Sequence, residues 1–175
     1  MRLFTIFLLL SSNLLCSGAK IDDLRKAAEQ GDAEAQSNLG RMYDGGEGVP
    51  EDDVEAMKWY RKAAEQGLAM AQYNLGGMYA SGKGETRDYV EAVKWLRKAA
   101  DQGHAWAQYR LGAMYDSGRG VAEDDVMAYM WWNLAAAQGN DHSKKAKGML
   151  SEEMTREQIA EAQKLSREWL AKRSE

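Results

Sequence analysis

The chain has 175 residues, about the length of one ordinary domain, and its formal net charge is −4. A slightly acidic chain lacks the basic surface on which nucleic-acid binding depends, so we expect no nucleic-acid partner. A single cysteine cannot form an intramolecular disulfide, and a single proline with few β-branched residues favours helix over strand. The composition therefore predicts an all-α fold.

Residues 1–19 have the pattern of a secretory signal peptide. Arg2 precedes an uncharged apolar run over residues 3–10, and the small residues Ser17 and Ala19 occupy positions −3 and −1 of a cut after Ala19. The run is shorter than the roughly 18 to 20 apolar residues that a spanning helix requires, so no stable membrane span is expected. The sequence predicts a protein that is secreted or periplasmic after the signal peptide is removed.

Cys16 leaves a second interpretation of this segment. A lipoprotein would be cut before Cys16 and acylated on it, but Leu15 occupies the position where such a site has a small residue. The cleavable signal is therefore favoured, and lipidation through Cys16 is the alternative. With the cut after Ala19, the exported chain carries no cysteine and depends on packing alone for its stability.

An internal repeat with a period of 36 residues dominates the rest of the chain. The motif A-A-E/D-Q-G ends at Gly31, Gly67 and Gly103, and a variant of it ends at Gly139. The same phase recurs at leucines 39, 75 and 111, at tyrosines 43, 79 and 115, and at tryptophans 59, 95 and 131. We predict a capping half-repeat over residues 20–30, repeats over residues 31–66, 67–102 and 103–138, and a C-terminal cap over residues 139–175.

Each unit is predicted to contain two helices. In the first helix of the first unit, apolar residues follow one helical stripe: Ala35, Leu39, Met42 and Tyr43. In the second helix the corresponding stripe is Ala56, Trp59, Tyr60 and Ala63. Asp32 is suited to cap the first helix, Gly45 or Gly46 to end it, and the second opens near Asp52-Asp53. One pair cannot bury both faces, so the units must stack into a solenoid.

The repeated residues resemble the Sel1-like repeat, a relative of the tetratricopeptide repeat. Residues 27–59 have the pattern A-A-E-Q-G-x-A-x-A-Q-x-x-L-G-x-M-Y-x-x-G-x-G-V, followed by D-x-x-E-A-x-x-W. The same pattern recurs with small changes over residues 63–95 and 99–131. The resemblance implies a right-handed α-α superhelix of helix-turn-helix repeats with capping helices at both ends. It also implies an adaptor that holds other proteins together, in a family with many exported bacterial members.

The C-terminal segment is predicted to cover the last repeat. Residues 126–137 are uncharged, which is typical of a helix that is buried on most sides. After Gly139 the pattern fails, because Lys147 replaces the leucine, and a new helix is expected from Thr155, where Gln158 completes a capping box. Its apolar stripe is expected to lie over the Trp132 helix and consists of Ile159, Ala162, Ser166, Trp169 and Leu170.

Several patterns suggest chemistry but have a structural explanation. The Gly-x-Gly triplets after each first helix lack the strand of a dinucleotide site and are interpreted as turns. Asp141-His142-Ser143 cannot form a catalytic chain from consecutive residues and is interpreted as a solvated loop. His104, Asp52-Asp53 and Asp124-Asp125 are interpreted as helix-capping groups. We therefore expect no catalytic residue, no metal and no cofactor.

The candidate binding residues lie where the repeats differ, on the first helix of the second and third units. The six are Met70, Tyr73, Asn74, Trp106, Tyr109 and Arg110. Exposed aromatic residues, methionine and arginine are the residue types that anchor interfaces, and in tetratricopeptide-like solenoids this helix lines the concave surface. We therefore predict a partner-binding groove. The alternative, equally weighted for the aromatic residues, is packing against the next unit.

The sequence is compatible with two classes of function. The favoured one is an exported, monomeric scaffold or adaptor that binds a protein or peptide and catalyses nothing. The alternative is a secreted hydrolase acting on cell-wall or β-lactam substrates, because some cysteine-rich members of the resembled family are β-lactamase-like. This chain lacks the paired cysteines of those members, which counts against the hydrolase.

Overall fold

The computed structural model describes residues 20–173, and within that range the chain forms nine α-helices and no strands. The predicted signal peptide, with Cys16, lies outside the described residues. The first helix, α1, covers residues 20–29. The others are α2 (Ala33–Gly45), α3 (Asp53–Glu65), α4 (Ala69–Ser81), α5 (Tyr89–Asp101), α6 (Ala105–Ser117), α7 (Asp125–Ala137), α8 (Asp141–Leu150) and α9 (Arg156–Lys172). The all-α prediction is confirmed.

The helices pack in chain order, as in a solenoid. The tightest pairs are α2 with α3, α4 with α5, and α6 with α7, and successive pairs join through α3 with α4 and α5 with α6. At the C-terminal end, α8 and α9 both pack against α7. In the part of the chain that the structure describes, no helix is long and apolar enough to cross a membrane.

Side chains from the predicted positions begin and end the helices. Asp32 accepts a hydrogen bond from the backbone N–H of Ala35 at 2.7 Å and so caps α2. Asp52 and Asp124 cap α3 and α7 in the same way. Gly46 ends α2 with a left-handed φ of 65°, a conformation that glycine adopts without a steric penalty. The Gly-x-Gly triplets are thus turns, as predicted.

A glycine in each unit permits close contact between its two helices. A Cβ atom on Gly76 of α4 would lie 2.8 Å from Cγ of Leu96 on α5. A Cβ atom on Gly112 of α6 would lie 2.6 Å from the Trp132 ring on α7. Distances this short are not observed for real Cβ atoms, so any larger residue would push the paired helices apart.

The tryptophans of the second helices join each unit to the preceding one. Trp59 of α3 packs in a buried cluster with Ala28, Ala35 and Leu39, which belong to α1 and α2. Trp95 of α5 packs in the equivalent cluster of α3 and α4. Each buried ring therefore covers the apolar surface that the preceding unit would otherwise expose.

A ladder of glutamines adds polar contacts within units and between them, and the sequence interpretation missed it. Gln72 of α4 is buried and donates to the carbonyl oxygen of Ala64 at 3.1 Å, while its Oε1 accepts from Gln102 Nε2 at 2.8 Å. Gln108 repeats both contacts with Ala100 and Gln138. The signal was present in the repeated motif, in which both glutamines recur every 36 residues.

The C-terminal cap differs from the prediction in one element. Residues 141–150 form helix α8, so Asp141-His142-Ser143 is the first turn of a helix and the prediction of a solvated loop was wrong. Asn140 caps this helix by accepting from the backbone N–H of Ser143 at 2.8 Å. The helix was not predicted because the repeat's leucine is absent from it. Its buried residues are Ser143 and Leu150 instead.

Helix α9 covers α7 as predicted. Thr155 and Gln158 form the capping box, and Ala162 and Ser166 are buried. The Trp169 ring meets Trp131 edge-on, with 6.1 Å between ring centroids. Leu170 was placed in the buried stripe, but half of it is exposed.

Candidate functional site

The six predicted binding residues divide into exposed side chains and half-buried ones. Met70 and Trp106 are 50% and 46% exposed, which is unusual for such large apolar side chains, and Arg110 is also exposed. Tyr73 and Tyr109 are half-buried and pack against the core. The two alternatives for the aromatic residues therefore apply to different positions: the tyrosines contribute to packing, whereas Trp106 faces solvent.

Trp106, Tyr109 and His142 form an exposed aromatic cluster between α6 and α8. The Trp106 ring lies edge-on to Tyr109, with 5.9 Å between centroids, and His142 lies 5.4 Å from Trp106 and 5.8 Å from Tyr109. Aromatic pairs at these distances stabilise each other beyond the area they bury. Sequence reasoning missed His142 because it did not predict the helix that carries it.

The Tyr73 ring links α4 to α6 because it contacts both His104 and Arg110. Its ring stacks on His104 with centroids 4.8 Å apart, and the guanidinium of Arg110 lies 5.7 Å from the same ring. His104 also caps α6, since its Nδ1 accepts from the backbone N–H of Ala107 at 3.2 Å, as the capping interpretation expected. Burial lowers the pKa of His104, because the charged imidazolium is less well solvated there.

Two adjoining cavities on this face share Arg110, and together they are called the central groove. The first has a volume of about 280 Å³ and is lined by residues that include Asp44, Tyr73, Asn74, Gly77, Lys83 and Arg110. The second has a volume of about 240 Å³ and is lined by residues that include Ser81, Tyr89, Arg110, Ala113 and Arg119. Arg119 and Lys83 come from the interhelical loops and were not predicted as site residues.

Met70 and Trp106 line separate cavities at the two ends of the same face. Met70 borders a cavity of about 240 Å³ together with Glu34 and Asn38 of α2. Trp106 borders one of about 340 Å³ together with His142 at the start of α8. The six predicted residues therefore do not converge on one pocket, and they lie along one face in a row of shallow depressions.

The charges of the central groove are unequally compensated. Lys83 Nζ lies 2.9 Å from Asp44 Oδ1, and this hydrogen bond raises the pKa of Lys83. Arg110 and Arg119 instead lie over tyrosine rings, and within residues 20–173 neither has a carboxylate within 4.0 Å. The groove consequently carries a local positive charge in a chain that is negative overall.

The Asp141-His142-Ser143 triplet is not arranged for nucleophilic catalysis. The His142 ring contacts Trp106 and Tyr109, and the Ser143 hydroxyl is buried without a hydrogen-bond partner in the described chain. A nucleophile requires a base within hydrogen-bond distance, and this serine has none. Among residues 20–173, no group of three histidine, cysteine or acidic side chains is placed to hold a metal ion.

Comparison with known proteins identifies the repeat. The Sel1 repeat model matches residues 24–32, 33–68, 69–104 and 107–140, which is well over half of the chain. The chain belongs to the Sel1 repeat family. Sel1 repeat proteins are typically protein–protein interaction scaffolds and are generally non-catalytic. No curated protein is similar to this chain at a significant level.

Solved structures of other Sel1 repeat proteins share this fold. A Sel1 repeat protein from Oxalobacter formigenes is 45% identical with a TM-score of 0.68, over 74% of this chain and 97% of that one. The protein c5321, a protective antigen of uropathogenic Escherichia coli strains, is 31% identical with a TM-score of 0.67, over 86% of this chain and 40% of its own. Cysteine-rich protein B of Helicobacter pylori, at 21% identity and a TM-score of 0.57, shares the fold alone.

Proposed function

We propose that this Sel1 repeat protein is a scaffold that binds an extended segment of a partner protein along the face formed by α2, α4 and α6. The observation that supports the proposal is the row of depressions on that face, bordered by exposed Met70, Trp106 and Arg110. Aromatic residues and arginine contribute most to binding energy at interfaces, and large apolar side chains that are exposed together often mark an interaction site.

The proposal can be tested without a known partner by panning the purified protein against a random peptide library. We expect selected peptides whose binding is reduced at least about tenfold by Trp106→Ala, a loss typical of an interface anchor. Arg167→Gln on α9 serves as the control, because Arg167 is exposed and lines none of the four cavities of this face. Hydrogen exchange should show protection of α4 and α6 in the complex.

Two results would count against peptide binding along this face. One is a library that yields no binder in repeated rounds. The other is a set of binders that tolerate both Trp106→Ala and Asn74→Ala while circular dichroism shows that both variants are folded. In either case the exposed face would have no role in peptide recognition, and the proposed scaffold function would lose its support.

We also propose that the protein does not hydrolyse β-lactams or cell-wall substrates. The support is the arrangement at α8, where the Ser143 hydroxyl is buried away from His142 and no general base adjoins it. A nitrocefin assay on the purified protein should give no turnover above background. Turnover that is lost in Ser143→Ala would overturn this proposal.

Export is proposed from residues 1–19, with cleavage after Ala19 and a periplasmic or secreted product. The support is the basic start, the short apolar run and the small residues before the cut. Intact mass measurement of the protein expressed with its full N-terminus should give a chain beginning at Lys20. A chain beginning at Cys16 with added acyl mass, lost in Cys16→Ala, would establish the lipoprotein alternative instead.

A further inference from the structure

Arg110 and Arg119 have no acidic partner, in contrast to two other arginines of the repeats. Arg41 pairs with Glu47, and Arg61 donates to Glu85 at 2.9 Å. Arg110 lies between the two cavities of the central groove, and Arg119 lines the second of them, yet neither contacts a carboxylate within residues 20–173. Two guanidinium groups without an acidic partner therefore line the groove.

Both guanidinium groups are held over aromatic rings in a way that leaves donors available. Arg110 lies 5.7 Å from the centroid of Tyr73, and Arg119 lies 5.7 Å from that of Tyr89. A contact with a ring face uses the positive charge of the guanidinium but not the N–H groups at its edge. Those N–H groups form a planar fork that matches a carboxylate, so both arginines can form bidentate hydrogen bonds with one.

The one acidic residue among the lining residues of the groove is already paired. Asp44 lines the first cavity, but Lys83 lies 2.9 Å from its Oδ1 and pairs with it. The groove therefore offers two unpaired cations and no unpaired anion among its lining residues. The whole chain has a net charge of −4, so the positive groove is opposite in sign to the chain as a whole.

An apolar contact site adjoins the arginines on the same helix. Trp106 and Arg110 are four residues apart on α6, so they share one face and lie about 6 Å apart along the axis. In an extended peptide, side chains two positions apart point the same way and are separated by about 6.6 Å. An apolar side chain on the aromatic cluster would therefore place an acidic residue, two positions away, beside Arg110.

We infer that the central groove binds an extended acidic peptide segment whose carboxylates pair with Arg110 and Arg119 and whose apolar side chain contacts the aromatic cluster. This inference rests on the proposed scaffold function and specifies the chemistry of its partner. The partner is a protein segment in which an aromatic or large aliphatic residue is followed, at alternate positions, by aspartate or glutamate.

The test uses a fluorescein-labelled peptide, Ser-Gly-Trp-Gly-Glu-Gly-Glu-Gly-Ser, and a matched peptide with glutamine in place of each glutamate. Fluorescence anisotropy at low ionic strength should show the glutamate peptide binding at least about tenfold more tightly, since hydrogen bonds to charged groups are the stronger ones. Arg110→Gln should remove this preference, and Arg119→Gln should reduce it. Arg167→Gln changes the net charge equally and should leave it intact.

Three results would overturn the inference, and thermal denaturation would first verify that each variant is folded. Equal binding of the two peptides, with loss in Trp106→Ala, would refute the acidic preference while leaving the scaffold function in place. An equal loss in Arg110→Gln and Arg167→Gln would indicate a general charge effect. Self-association that is abolished by Arg110→Gln would assign the groove to a second copy of the chain.

Discussion

His104 shows how one residue can serve two purposes in this fold. Its imidazole caps α6 through Nδ1, and its ring stacks on Tyr73, so it joins two units as well as starting a helix. The capping role could be predicted, because His104 has the phase of Asp32. The stacking could not be predicted, since it depends on how α4 and α6 approach each other in space.

The protonation of His104 should make stability depend on pH. Burial lowers its pKa below the ordinary value of 6.5, so between those two pKa values the unfolded chain binds more protons than the folded one. Stability is therefore expected to fall as pH decreases through 6.5 and to level off below the folded-state pKa. Protonation of Nδ1 would also remove the acceptor for the N–H of Ala107.

His104→Asn is the variant that isolates this effect, because asparagine caps helices well and does not titrate. We expect wild type to lose stability relative to His104→Asn as the pH falls through 6.5, and the loss to level off below the lowered folded-state pKa. Urea unfolding at several pH values measures the difference. A constant difference across this range would contradict the prediction, and His142→Asn provides a control at an exposed histidine.

Gly76 and Gly77 are neighbours in α4, but only Gly77 has room for a larger side chain. A Cβ on Gly76 would lie 2.8 Å from Cγ of Leu96 and 3.1 Å from the backbone oxygen of Ala92, whereas a Cβ on Gly77 would have nothing within 4 Å. Gly76→Ala is therefore expected to destabilise the protein by about 1 to 3 kcal/mol through overpacking. Gly77→Ala should stabilise it by up to about 1 kcal/mol, because alanine favours the helix.

Chemical denaturation of the two variants in parallel measures this contrast. Similar shifts of the unfolding midpoint for both variants would show that helix propensity alone determines the effect of alanine on stability at both residues. They would also show that α4 and α5 are not closely packed at Gly76. The repetition of this glycine could be read from the sequence, but the reason for it required the distance between the helices.

Among the helices, the glutamine ladder connects α4 with the end of α5 and with α3 of the preceding unit. Gln72 Oε1 accepts from Gln102 at 2.8 Å, and Gln102 also donates to the carbonyl oxygen of Gly67 at 2.8 Å. Gln72→Met should cost about 1 to 3 kcal/mol, because it leaves buried polar groups without partners. Gln163→Met on the exposed side of α9 should cost little and serves as the control.

A double-mutant cycle of Gln72→Met and Gln102→Ala tests whether the two glutamines act together. The double variant should lose less stability than the sum of the single variants, by about 0.5 kcal/mol or more. Additive losses in urea unfolding would contradict a direct interaction between the two side chains. The equivalent pair, Gln108 and Gln138, should behave in the same way.

Element by element, the repeat made α2 to α7 predictable and left α8 unpredicted. The regular stripes, such as Ala35 with Leu39, are the residues that the core buries. Helix α8 has no such stripe, since only Ser143 and Leu150 are buried in it, and it is held against α7 by tertiary contact. The aromatic cluster depends on this helix, so its third member could not be found from the pattern.

The whole molecule is organised by contacts between helices that are near one another in the chain. Each unit packs on its neighbours, and no described helix contacts a distant one extensively. Arg173 makes the longest connection, donating to the carbonyl oxygens of Asp101 and Gln102 at the end of α5. The stability of such an array is close to a sum of local terms, so damage at one end should remain local.

Removal of α9 tests this locality. A chain ending at residue 154 would expose the side of α7 that carries Trp131 and Met130, where Trp169 and Ser166 now pack. Hydrogen exchange should become faster in α6 and α7 and remain unchanged in α2 and α3, because the contacts of those first helices are intact.

The control for the truncation is full-length Trp169→Phe, which removes the same tryptophan but keeps the cap. Tryptophan fluorescence of the truncated chain should shift to the red relative to this control, as Trp131 becomes solvated. Faster exchange throughout the chain, including α2, would show that the array unfolds as one cooperative unit. Confinement of the change to α6, α7 and the end of α5, which Arg173 contacts, is what local packing requires, because each helix then depends only on the elements that touch it.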